Sequence, residues 1–240
     1  MEPLENANGD ATARAITDVA VIGGGAGSIG VIEACLLAGL SATMIRTTHG
    51  SASEVRRRLA SSFEDKRQDG RLDRDAVERA LDRFRASGDI GAAASADLVL
   101  ESTDSAWKAR QTLLTQAERA THGRAILATT APTALLRALA TRLDVRENFV
   151  GLHFFAPAVL AGFCEVSVTN RTQPTVVETA VQFVKALGKH AVIVRDTPAC
   201  LLLQSQGARL GATRGAPARS PTKRRSTAPS FCGTFDRIGV

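Results

Sequence analysis

Residues 18–46, DVAVIGGGAGSIGVIEACLLAGLSATMIR, constrain the fold more than any other stretch of the chain. Asp18 to Ile22 is a short β-branched run that ends in glycines. GGGAGSIG follows, then the apolar VIEACLLAGL, which closes on Gly39 as a helix with a glycine stop does. Ser41 to Arg46 reads as a second strand. Strand, glycine turn, helix and strand in this order make a βαβ unit. Gly23, Gly25 and Gly30 lie between the strand and the helix. The first permits a tight turn, the second lets a pyrophosphate approach the backbone, and the helix N-terminus faces the anion. Ser28 replaces the strict third glycine and is small enough for close helix–sheet packing. The motif predicts dinucleotide binding. Where Asp or Glu usually holds the ribose hydroxyls stands Arg46, followed by Thr47 and Thr48. A guanidinium beside hydroxyls suits a 2′-phosphate, so the predicted cofactor is NAD or NADP.

The pattern continues downstream. Val55, Leu59 and Phe63, then Val77, Leu81 and Phe84, are spaced as two amphipathic helices broken near Asp69-Gly70. Strands are predicted at residues 97–101, 125–129 and 190–196, and helices at 106–119, 133–143 and 173–187, the last stopped by Gly188. The fold class is therefore α/β, a Rossmann-type domain with a mostly parallel sheet over residues 16–200. Residues 1–15 form a polar tail without the apolar core of a signal peptide, and no run is long enough to span a membrane. Residues 201–240 lose the periodicity and are dense in Gly, Pro, Ser and Arg, the composition of a disordered or damaged segment.

The net charge of +6 invites a nucleic-acid reading, which its location removes. Seven of the 30 Lys/Arg but one of the 24 acids fall in residues 201–240, leaving 23 of each sign in residues 1–200. A neutral body offers no field for a polyanion, so neither a nucleic-acid nor a membrane partner is predicted. Cys35, Cys164, Cys200 and Cys232 are scattered and the four histidines form no ligand-spaced cluster. That pattern predicts no metal and fits a reducing cytoplasm.

The chemistry is concentrated in Val150–Val168, VGLHFFAPAVLAGFCEVSV. His153 and Glu165 lie twelve residues apart, each within an apolar, strand-like run. Buried polar groups need partners, and adjacent runs would make each the partner of the other. A carboxylate that fixes an imidazole and stabilises its protonated form is a general acid–base unit; a core histidine bonded to a carbonyl is the alternative.

Four strings, VAVIGGGAGSIG, ADLVLES, ENFVGLHFFAP with CEV after it, and KALGKHAVIVRDTPA, resemble the 3-hydroxyacyl-CoA dehydrogenase family over about residues 16–200. The resemblance implies a Rossmann-type domain followed by a helical domain that dimerises and closes over an acyl-CoA. It implies that His153 takes the 3-hydroxyl proton while hydride leaves for the nicotinamide, and that Glu165 orients it. Arg110 is assigned to the cofactor site with the glycine turn. The departures concern substrate positioning. The family's Asn-Thr-Ser-Ser loop falls on Thr130-Ala131-Pro132-Thr133, so the substrate-binding serine is Pro132, and Thr133 could substitute for it only if the loop shifts. The asparagine after His-Phe-Phe is Ala156, an acid expected after the ADLVLES strand is Ser105, and the Gly-Phe after Asp-Thr-Pro is Ala199-Cys200. Written in GC-rich codons and shifted by one base, PTKRRSTA reads ADEAEIDR, the kind of string that opens the family's helical domain; the helical dimerisation domain is thus expected to be absent or out of frame. Two readings follow: a 3-hydroxyacyl-CoA oxidoreductase, or a catalytically inactive dinucleotide-binding remnant.

Overall fold

The structure, a computed structural model, describes residues 13–46, 52–132, 135–155 and 162–195. The tail 201–240, its out-of-frame reading and Ala199-Cys200 lie outside these residues, as do Thr47, Thr48, Thr133 and Ala156. In chain order the elements are β1 Asp18–Ile22, α1 Ala26–Leu37, β2 Ser41–Ile45, α2 Ala52–Gln68, α3 Arg74–Asp82, β3 Phe84–Ser87 and β4 Leu98–Glu101. They continue with α4 Trp107–Ala120, β5 Ile126–Thr129, α5 Leu136–Ala140, β6 Phe149–Phe154, β7 Phe163–Val168, α6 Pro174–Ala186 and β8 His190–Arg195.

The eight strands among the described residues form one sheet in the order β3-β2-β1-β4-β5-β6-β7-β8. All neighbours are parallel except β6 and β7, which are antiparallel. The order reverses between β1 and β4, and at such a switch point the crevice beyond the strand C-termini receives ligands.

Strands covered on both faces read as continuous apolar runs, and here the run divides by period two. Val19 and Val21 of β1 enter one core with α1, α2 and α6, while Ala20 and Ile22 enter the other with α4 and α5. In β6, Val150 and Leu152 join the first core and Phe149 the second. Phe63 and Phe149 are fully buried, one on each side. Burial of a side chain of this size contributes roughly 1.5–3 kcal/mol.

Helix α1 is apolar on nearly every side because α2 and α3 cover the face that the sheet does not. It stops where predicted: Gly39 has φ +84°, and Leu40 N–H returns to the Cys35 carbonyl at 3.0 Å, which closes the C-terminal turn. It starts earlier than its apolar stretch indicates, at Ala26, so the glycine turn forms its first turns. Phe84 is a correction to the predicted second amphipathic helix. Helix α3 ends at Asp82, and Phe84 opens β3, opposite Ala42 of β2. The spacing from Leu81 mimics helical period, but pairing with β2 buries the ring to 5% exposure. Helix α5 is also shorter than the predicted 133–143.

Candidate functional site

The glycine turn owes its shape to one steric fact. Gly23 has φ +138°, and a Cβ there would stand 2.4 Å from the Ser102 carbonyl oxygen and 2.6 Å from Ser28 Oγ. Only glycine adopts this conformation so close to backbone. Its N–H donates to the Ile45 carbonyl at 2.9 Å, and Ser102 N–H donates to the Ile22 carbonyl at 2.8 Å, locking the ends of β1, β2 and β4 together. Gly25 is the N-cap of α1, with open space beside it except for Asp104 Oδ2 at 3.9 Å from a Cβ position. The first-turn amides of α1 have no intrahelical acceptors, so this end of the helix suits an anion. Ser28 is fully buried and its Oγ donates to the Ser102 carbonyl at 2.8 Å, which ties the first turn of α1 to the loop after β4.

A cavity of about 890 Å³ opens here. Gly25, Ser28 and Gly30 line one side, Ser102 and Asp104 the loop after β4, and Thr130, His153 and Phe154 the far side. The structure therefore brings together four of the predicted site residues, three from the turn and His153. Gly23, Arg46, Arg110 and Glu165 are not in the lining.

His153 is half-buried near the C-terminal end of β6. Its Nδ1 faces the Thr130 carbonyl at 3.4 Å, and its ring meets Phe155 edge-on at a centroid distance of 4.8 Å. Glu165 of β7 is its directly paired residue in the antiparallel register, so the two side chains leave the same face of the sheet. That face belongs to α4 and α5, since the alternate residues Leu152 and Val166 enter the other core. Glu165 is 5% exposed and its Oε1 accepts from Ser167 Oγ at 2.9 Å. Opposite Ser167 sits Gly151, where a Cβ would lie 2.9 Å from Ser167 Cβ and 3.4 Å from Leu136 of α5.

Arg110 stands elsewhere than at the cofactor cavity. Its Nε donates to the Ser105 carbonyl at 3.1 Å, its Nη2 to the Thr103 carbonyl, and its Nη1 pairs with Glu101 at 3.3 Å. It is a clamp on the loop after β4. Arg46 follows β2 as predicted, its N–H bonded to the Ser87 carbonyl at 2.9 Å. Its Nε is buried without a hydrogen-bond partner among the described residues. An orphaned guanidinium N–H at the end of β2 is a donor awaiting an acceptor.

Sequence reasoning missed three features. Asp104 places a carboxylate in the cavity one residue before Ser105, a displacement that strict motif counting passes over. Glu101 is fully buried and accepts from Thr103 N–H at 2.8 Å, Thr103 Oγ1 at 2.6 Å and Thr129 Oγ1 at 2.7 Å, as well as from Arg110. Glu33 of α1 holds Ser62 and Lys66 of α2 at 2.6 and 2.5 Å on the cavity wall; the four-residue spacing of Ser62 and Lys66 is the only trace of it in the sequence. The two cysteines among the described residues are buried thiols: burial pushes Cys35 up to about 12, and burial first, with the nearby Glu165 charge, does the same for Cys164.

The model of the 3-hydroxyacyl-CoA dehydrogenase NAD-binding domain matches residues 18–197. The chain belongs to the 3-hydroxyacyl-CoA dehydrogenase family. It carries that family's NAD-binding domain, and its cofactor is NAD or NADP. Among curated relatives, the fatty acid oxidation complex subunit alpha of Ectopseudomonas oleovorans is 33% identical over 133 residues, 55% of this chain and 19% of that protein. The subunit of the same name from Pseudomonas entomophila is 29% identical over 194 residues, 80% of this chain and 27% of that protein. The chain thus spans less than a third of these relatives. Among solved structures, the 3-hydroxybutyryl-CoA dehydrogenase of Escherichia coli K12 superposes with TM-score 0.75 at 26% identity, over 79% of this chain and 40% of that one. The (S)-3-hydroxybutyryl-CoA dehydrogenase of Ralstonia eutropha shares the fold, with TM-score 0.73 at 21% identity over 83% and 79% of the two chains. No helix among the described residues is long and apolar enough to cross a membrane.

Proposed function

We propose that the chain transfers hydride between the 3-hydroxyl-bearing carbon of an acyl-CoA and NAD or NADP, as in fatty acid oxidation, in a cytoplasmic setting. One observation carries this reading: His153 lines the same cavity as the glycine turn, with Glu165 registered directly opposite it. Gly25 and the first-turn amides of α1 would hold the pyrophosphate, and Arg46 the ribose or its 2′-phosphate. When bound, the nicotinamide supplies the hydride acceptor or donor. A carbonyl can only accept, so with Nδ1 facing Thr130 the Nδ1 position would carry the proton and Nε2 would act as the base for the 3-hydroxyl. Glu165, on the same face, would stabilise the imidazolium as it forms. A second reading, cofactor binding without turnover, is supported by Pro132, which offers neither hydroxyl nor N–H where the family's loop has serine.

The test is acetoacetyl-CoA-dependent oxidation of NADH and of NADPH by the purified chain, with His153→Ala beside it. We expect turnover that falls by about 10²–10⁴-fold in the variant. We also expect NADPH to bind at least as tightly as NADH; tighter NADH binding removes the 2′-phosphate role of Arg46. Cofactor binding with no turnover selects the second reading.

A further inference from the structure

Three arginines from separate segments converge at the end of the sheet remote from the glycine turn. Arg137 lies on α5, Arg146 on the 3-10 turn before β6, and Arg171 just after β7. With Thr141, Thr169 and Asn170 they line a concavity of about 160 Å³. Strand β6 begins at Phe149 and its antiparallel partner β7 ends at Val168, so both reach this end, whereas His153 lies toward the other. No carboxylate is in the lining, and neither Arg146 nor Arg171 is ion-paired among the described residues.

The Arg146 guanidinium is held in place without being neutralised. Nε donates to the Leu143 carbonyl at 3.1 Å and Nη2 to the Thr141 carbonyl at 2.8 Å, which leaves other N–H groups of the fork unused. Arg171 N–H is bonded to Thr169 Oγ1 at 3.1 Å, fixing the loop that carries it, and Asn170 adds an exposed amide. The Arg146 and Arg171 charges at one hollow repel, and a bound oxyanion relieves that repulsion while accepting from planar donors. Among the described residues the lining contains no aromatic ring and one alanine as its only apolar residue. It has nothing on which to stack a base or lay an acyl chain, so what it recognises is the anion itself.

We propose that Arg137, Arg146 and Arg171 form a binding site for a phosphate group, free or as the terminal monoester of a small metabolite. The site is independent of the dehydrogenase reading, since it shares no residue with the catalytic cavity. The experiment is a titration of the full chain with inorganic phosphate at ionic strength held constant with chloride, followed by thermal unfolding and by calorimetry. The variants are Arg171→Ala, whose side chain is exposed, and the double variant Arg146→Ala/Arg171→Ala. Expected is a midpoint that rises with phosphate in the wild type, affinity reduced about tenfold or more in the single variant, and no response in the double one. Glycerol phosphate in parallel separates the sources: tighter binding than inorganic phosphate identifies a monoester, weaker binding identifies the free ion. A wild type that does not respond overturns the site. So does a response undiminished in the double variant, since the phosphate would then sit at the glycine turn.

Discussion

Single residues at this site act mainly by holding backbone in place. Glu101 ends β4, and its carboxylate ties the loop after its own strand, through Thr103 and Arg110, to the end of β5, through Thr129. Thr129 Oγ1 in turn accepts from Ala131 N–H at 3.1 Å, and the intervening Thr130 offers its carbonyl to His153. A fully buried charge with four donors around it is stable only as a set, because removing the charge leaves Arg110 and the hydroxyls undercompensated. We therefore expect Glu101→Gln to destabilise the chain by about 2–4 kcal/mol in urea unfolding. A change under about 0.5 kcal/mol would mean that the surface-level figure for an ion pair applies and that the loops are held otherwise.

At the level of elements, register is what joins the proposed acid–base pair. A slip of one residue between β6 and β7 would send Glu165 to the face of α6, away from His153. The apolar alternation forbids that slip, since Cys164, Val166 and Val168 must enter the core. The start of β1 is fastened in a different way. Asp97 accepts from Thr17 N–H at 2.9 Å, Asp18 N–H at 3.1 Å and Thr17 Oγ1 at 3.1 Å, and pairs with Arg14 at 2.5 Å. Burial pushes the Asp97 carboxyl up, but these bonds and the Arg14 charge outweigh it and hold the group below its usual value. A carboxyl lowered in the folded state contributes stability above its unfolded value of about 3.9, and that contribution disappears as pH falls through the lower folded value. Acid unfolding of Asp97→Asn should therefore show a shallower loss of stability below pH of about 4 than the wild type. Parallel curves for the two proteins would count against the tether.

Across the whole sheet, the two edges differ. Strand β3 is short and rests on α2 and α3, whereas β8 leaves Val192 41% and Ile193 51% exposed on opposite faces. Phe163, its neighbour at the start of β7, is 37% exposed. An edge strand with apolar side chains on both faces is a template for association. We expect light scattering to show a mass that grows with protein concentration, and Ile193→Lys to keep the chain monomeric over about tenfold higher concentration. Equal behaviour of the two proteins would shift the explanation away from β8.

The sequence by itself determined the alternation of strands and helices, the glycine turn that opens α1 and its glycine stop, because these follow from local sterics and from side-chain period. It also singled out His153 and Glu165, polar residues in apolar runs whose burial demands partners. Only the tertiary structure decided that the two are cross-strand neighbours, since pairing is set by which faces of β6 and β7 enter the core. The assembled fold likewise turned Arg110 toward Glu101, brought Asp104 to the cavity wall, made Phe84 a strand residue against β2 and gathered three distant arginines around one hollow. None of these has a local signature: each depends on contacts between segments that meet only when the sheet assembles.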